Sequence, residues 1–134
     1  AIAAFSIIKT NTDSGIFKAV QDASVEALLH SSKYSEEQNK LLQKRRDVLV
    51  NGLNSLGWNI KAPLATFYLW IPVPKGYTSA GFCAEVLEKC GIVIVPGNGY
   101  GEAGEGYVRA AITTSEARIK EAVERLKKAG IRYQ

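Results

Sequence analysis

The sequence predicts an α+β fold, a small mixed β-sheet covered by helices, in the order α-α-β-α-β-β-α. Three observations predict it. β-branched and aromatic residues concentrate in three short runs, 64–71, 92–95 and 106–112. Between and around these runs, apolar residues recur at helical spacing. Capping residues and glycines fall where those helical stretches begin and end.

Taken in order, Asp13-Ser14-Gly15 offers an N-cap for a helix with Ile16, Val20, Ala23 and Ala27 on one face, ending near His30. Ser35 to Gln38 has capping-box spacing. Leu42, Leu49, Leu53 and Leu56 then recur at helical intervals up to Gly57. The β-prone run 64–71 is stopped by Pro72 and Pro74. Thr78 or Ser79 caps a helix that turns Phe82, Val86 and Cys90 inward, with Gly91 after its end. A strand over 92–95, a glycine-rich loop and a strand over 106–112 come next. Thr113 to Glu116 is a second capping box, opening a helix with Ile119, Val123 and Leu126 inward and Gly130 behind it.

A chain of 134 residues, 46% hydrophobic and 22% charged, has the composition of one ordinary globular domain. No apolar run approaches the roughly 18 to 20 residues that span a bilayer. The opening AIAAFSIIK lacks the features of a signal peptide and reads as the middle of an element, as in a chain cut from something longer. Residues 1–32 are therefore expected to be an edge facing a missing larger domain, and 33–134 a small C-terminal domain. Cys83 and Cys90 match no metal spacing and His30 is the single histidine, so no metal site is expected. Most of the net charge of +4 comes from 115–134, with six Lys/Arg against three Glu. There it marks a solvated helix face with Glu116-Lys120, Glu121-Arg125 and Glu124-Lys128 at i,i+4, not a nucleic-acid groove.

Gly99-Tyr100-Gly101-Glu102-Ala103-Gly104 spells G-x-G-x-x-G. A dinucleotide fingerprint requires a strand before it and a helix after it. Here the next element is the alternating run 106–112, a strand, and no Lys-Ser/Thr supplies a phosphate cradle. The glycines read equally as a mobile surface turn. Arg109 stands out within the last strand, among apolar neighbours. A strand arginine is usually outward and solvated, whereas a buried one needs a partner, and guanidinium suits a planar carboxylate. No acid of the chain is obviously dedicated to it, which leaves a ligand carboxylate as a candidate.

The ordering of a strand ending in Val95-Pro96-Gly97, a glycine-rich loop, then Gly106-Tyr-Val-Arg-Ala-Ala-Ile-Thr113 and a final amphipathic helix resembles the C-terminal part of fold-type I aminotransferases. Ala65-Thr-Phe-Tyr-Leu-Trp70 is similar to the small-domain strand that precedes it in that family. The resemblance covers essentially the whole chain and is strongest to the LL-diaminopimelate subfamily. It implies the small domain of a pyridoxal-phosphate enzyme of lysine biosynthesis, cytoplasmic and homodimeric, acting on amino acids and 2-oxo acids with 2-oxoglutarate as acceptor. Neither nucleic acid nor membrane is an expected partner. Arg109 corresponds to the arginine that clamps the substrate α-carboxylate, and the glycine loop to a mobile edge that closes over substrate. Asn11 matches an asparagine reaching toward the neighbouring subunit's active site, although an Asx turn at a helix start accounts for it equally. One of Phe67 and Tyr68 is expected to line the pocket, with Phe67 preferred. The Schiff-base lysine lies in a Ser-x-x-Lys context N-terminal to this segment in the family, and nothing here matches it. No catalytic residue is therefore assigned, and the segment alone is expected to be inactive. A stand-alone α+β amino-acid-binding module, or an aspartate, alanine or aromatic aminotransferase, are the alternatives.

Overall fold

A computed structural model describes residues 1–133. The chain divides into two compact units, Ala1–Gln38 and a second from Asn39 onward. The first holds helix α1 (Ile2–Thr12), helix α2 (Lys18–His30) and the start of α3 (Ser32–Ser55). Neither α1 nor α2 buries a side chain. Phe5, Phe17 and Leu28 are 70%, 76% and 85% exposed. Two expectations from the sequence do not hold in this unit. The apolar opening is a helix of its own, so the element order gains a member. And α2 starts only at Lys18, with Phe17 in the N-cap position and no side-chain cap, so Asp13 and Ser14 do not cap it. Asp13 instead closes α1, its N–H bonded to the Lys9 carbonyl.

The second unit sets the sheet against the rest of α3, α4 (Ser79–Cys90) and α5 (Glu116–Lys128). Strands β1 (Tyr68–Pro72), β2 (Val95–Pro96) and β3 (Tyr107–Ala111) lie in the order β1-β3-β2. The pairing, expected to be mixed, is antiparallel in both ladders. The return from β2 reaches β3 through a loop short enough for an antiparallel neighbour, not through a crossover helix. Strand alternation sorts the side chains. Leu69, Ile71 and Val108 face the helices and join one apolar cluster with Leu53, Phe82, Val86, Ile112, Ile119 and Leu126. Tyr68, Trp70, Tyr107 and Arg109 alternate with them and belong to the opposite face.

The caps read from the sequence are mostly present, with shifted positions. Thr78 accepts the Gly81 N–H, and Gly91 takes the left-handed position after α4 at φ 62°. At α5 it is Ser115, accepting from Arg118, that caps, not Thr113. Helix α3 starts at Ser32, so Ser35 lies inside its first turn. Of the expected ion pairs on α5, Glu121–Arg125 forms at 2.6 Å, and Glu121 also meets Arg118 at 2.8 Å. Arg125 further donates to the Cys90 carbonyl at 3.1 Å, tying the last turn of α4 to α5. Trp58 spans the core by donating its indole N–H to the Pro72 carbonyl at 2.9 Å.

The segment between β2 and β3 is wound as two single 3-10 turns, Gly97–Tyr100 and Glu102–Gly104. Gly97 and Gly104 are buried against each other, and a Cβ on either would collide with the other's carbonyl. Ser79, fully buried at the start of α4, fastens the entry to β3: its Oγ accepts the N–H groups of Gly106 at 2.9 Å and Tyr107 at 3.2 Å. The glycines thus serve close backbone packing, and the loop expected to be a mobile edge is fastened at its exit by the Ser79 hydroxyl.

Ser79→Ala removes the hydroxyl that accepts from the Gly106 and Tyr107 N–H groups. It is expected to lower stability by about 1 to 3 kcal/mol in urea unfolding, the cost of leaving a partly buried donor without its acceptor. Ser79→Thr, which keeps the oxygen, is expected to recover part of the loss.

Candidate functional site

Arg109 sits in the central strand, opposite Trp70 on β1 and Val95 on β2. The side is dictated by alternation: Val108 before it is wholly buried among the helices, so Arg109 projects to the other face. It is half-buried there. Its guanidinium carbon lies 4.0 Å from the centre of the Tyr68 ring and 4.6 Å from that of Tyr100. Cation–π contact of this kind satisfies a positive charge without neutralising it. The ion pairs among the described residues involve other cations, and none reaches Arg109. A half-buried guanidinium with aromatic neighbours and no carboxylate partner among the described residues can turn its N–H groups to a planar anion.

Further aromatic rings stand around it. Trp70 meets Tyr100 edge-on at 6.0 Å and stacks on Tyr107 at 5.8 Å with an interplanar angle of 19°. Phe67 packs on Tyr68 at 4.4 Å. Of the pair weighed from the sequence, Tyr68 carries the ring over Arg109. Phe67 precedes β1, is 40% exposed, and lines a separate cleft of about 520 Å³ with Arg46, Pro63 and Thr66. Thr66, just before it, has φ 71°, an uncommon conformation for a β-branched residue. Within that cleft Arg46 is already paired with Asp47 at 2.7 Å. Sequence reasoning missed Tyr68 as the contact and Tyr100 altogether. The alternation of Tyr68 with Leu69 was a usable signal for the first.

Asn11 lies in the last turn of α1, in the other unit, and donates its side-chain amide to the Ile7 carbonyl at 2.7 Å. It is therefore a helix-end residue bonded back along its own helix, not part of a turn leading into α2.

Glu105, beside the glycine turns, accepts the Ser79 N–H at 2.7 Å at the start of α4. That backbone hydrogen bond, helped by those from Gly106, the Ser79 hydroxyl and Asn98, holds its carboxyl below the usual carboxylate range against a smaller opposing effect of desolvation. Burial raises the thiols of Cys83 and Cys90, which leaves both poor nucleophiles. Among the described residues no cluster of three His, Cys, Asp or Glu side chains could hold a metal ion. Among them, too, no helix is long and apolar enough to cross a membrane. Every lysine is exposed, and none stands in a buried cleft where an amine could be desolvated.

With this geometry in view, comparison with known proteins places the chain. The sequence profile described as aminotransferase class I and II matches residues 3–126, and the chain belongs to that family. It is 54% identical to the LL-diaminopimelate aminotransferase of Moorella thermoacetica over 127 residues, 95% of this chain and 33% of that protein. Among solved structures it superposes on L,L-diaminopimelate aminotransferase from Chlamydomonas reinhardtii with a TM-score of 0.84 at 33% identity, covering 95% of this chain and 31% of that one. An aminotransferase from Staphylococcus aureus gives a TM-score of 0.89 at 31% identity over 99% of this chain and 35% of that one. The chain thus spans about a third of the length of the curated relatives it matches.

The lowered Glu105 carboxyl has a stability consequence. Its folded value is below its unfolded one, so its contribution is complete above the ordinary carboxylate range and is lost as pH falls through the lowered folded value. Thermal unfolding followed from neutral pH to about pH 3 is expected to show Glu105→Gln less stable than the parent at neutral pH, with the two curves converging in acid.

Proposed function

We propose that this chain is the C-terminal third of a pyridoxal-phosphate-dependent aminotransferase that moves an amino group from LL-diaminopimelate to 2-oxoglutarate, and that Arg109 receives the substrate α-carboxylate. The observation that carries the role is the Arg109 guanidinium itself, half-buried, lying over two tyrosine rings and unpaired with any acid among the described residues. The substrate class is supported by the relatives' names and by the 54% identity to one of them. A stand-alone amino-acid-binding module is not favoured, because the family match extends over residues 3–126 rather than over a ligand pocket alone.

The cofactor implied by the family supplies an electron sink that makes the substrate Cα–H acidic. The residues of this chain do not fit it: holding it takes a buried amine, an acid against the pyridine nitrogen and an anion site, and the lysines here are all exposed. Those parts are assigned to a large domain N-terminal to this segment, with residues 1–32 forming the edge toward it and 33–134 the small domain. What this chain does is bind and orient. Arg109 pairs with a carboxylate through parallel N–H···O bonds, which sets the direction of the Cα substituents. The rings of Tyr68, Trp70 and Tyr107 line that face of the sheet and keep water from solvating the ion pair freely. A homodimeric, cytoplasmic enzyme, with Asn11 directed toward a neighbouring active site and Phe67 near the substrate, completes the proposal.

Reading the coding sequence upstream of Ala1 tests the parent protein: an in-frame Ser-x-x-Lys within roughly 30 residues supports it, and a start codon directly before Ala1 contradicts it. In the full-length enzyme, Arg109→Ala is expected to lower kcat/KM about 100-fold or more for the amino and the oxo substrate alike, because both carry the α-carboxylate. Unchanged kinetics would remove Arg109 from substrate binding. The isolated chain is expected to show no turnover with any substrate pair in a coupled glutamate assay. A panel of amino donors separates the diaminopimelate reading from the aspartate, alanine and aromatic subclasses.

A further inference from the structure

The glycine turns have a geometry that the carboxylate role of Arg109 does not by itself require. Close packing of Gly97 on Gly104 and the double acceptance by Ser79 hold a segment of the chain in one conformation, and these bonds and close approaches are not themselves to a residue that touches the Arg109 guanidinium. The residue that does is Tyr100, at the end of the first turn. Gly101 comes next at φ 120°, a conformation open to glycine, and reverses the chain so that the second turn can return to Gly97. Tyr100 is also braced from the side by Trp70, whose ring is in turn stacked on Tyr107.

We infer that Tyr100 is a positioning residue for Arg109, and that the glycine turns exist to deliver its ring onto the guanidinium. This rests on the reading of Arg109 as the carboxylate receptor. An arginine side chain loses considerable rotamer freedom when it binds an anion. Two rings against one planar cation restrict it beforehand, so that less is lost when the carboxylate arrives, and its N–H edge is the part left to bond. Tyr68 comes from a strand and cannot move independently of the sheet. Tyr100 comes from a loop, and the glycine packing gives that loop a fixed seat. The aromatic face does the positioning, so the phenol oxygen is dispensable.

The test uses the full-length protein and 2-oxoglutarate as the probe, with Kd measured by isothermal titration. Tyr100 is 52% exposed, so its replacement leaves the core intact. Tyr100→Leu is expected to weaken binding about three- to tenfold with an unchanged melting temperature, and Tyr100→Phe to bind within about twofold of the parent. In an Arg109→Ala background, Tyr100→Leu is expected to add nothing. Parental affinity in Tyr100→Leu overturns the inference, as does loss of affinity in Tyr100→Phe or a Tyr100→Leu effect that persists without Arg109. If Arg109→Ala loses binding while Tyr100→Leu keeps it, the inference alone falls. If Arg109→Ala itself binds 2-oxoglutarate as the parent does, the carboxylate reading falls and takes the inference with it.

Discussion

A cation placed on the central strand of a small sheet has few ways to be accommodated. On the helix side, Leu69, Val108 and Ile112 are all but solvent-free, and an unpaired charge among them would cost several kcal/mol at the least. Alternation removes that conflict by sending Arg109 to the opposite face between Trp70 and Val95. There no acid among the described residues neutralises the charge, nor is it left fully in water, and aromatic rings are the neighbours that tolerate it in that intermediate state. Much of the second unit serves to hold this one group: a strand on each side of β3, a stacked Trp70–Tyr107 pair beside it, and a loop that must return close enough to bring Tyr100 over it.

The return is constrained by backbone contact more than by side chains. Gly97 and Gly104 approach so closely that alanine at either position has no room, and Ser79 at the head of α4 takes up the two N–H groups that open β3. Helix α4, the turns and the sheet are thus joined through one buried hydroxyl. Glu105 adds a second tie to the same helix start, where the exposed N–H groups favour a carboxylate.

Local signals made much of this legible from the residues. Thr78 and Gly91 bracket α4 because side-chain capping and left-handed glycine are properties of a few adjacent positions. Arg109 was conspicuous because a guanidinium in an otherwise apolar strand demands a partner. The failures were of another kind. Phe17, not Asp13 or Ser14, stands at the start of α2, because several competent capping residues in one loop do not say which the helix will use. The glycine-rich loop read as a plain mobile turn because the hydroxyl that bonds its exit belongs to Ser79, remote in sequence. Tyr100 escaped for the same reason: its contact with Arg109 exists only once the turns are wound. The N-terminal unit is the opposite case. Its apolar side chains are exposed, as at Ile2 and Phe5, and under the proposed function a larger domain supplies the burial that α1 and α2 do not find in their own unit.

The central claim is that Arg109 receives a carboxylate. A crystal structure of the full-length protein with 2-oxoglutarate bound tests it most directly. The account predicts both oxygens of one carboxylate within about 3 Å of the Arg109 guanidinium nitrogens, in the plane of the group, with Tyr68 and Tyr100 still against it. A carboxylate held by other residues, with Arg109 facing solvent, would contradict it.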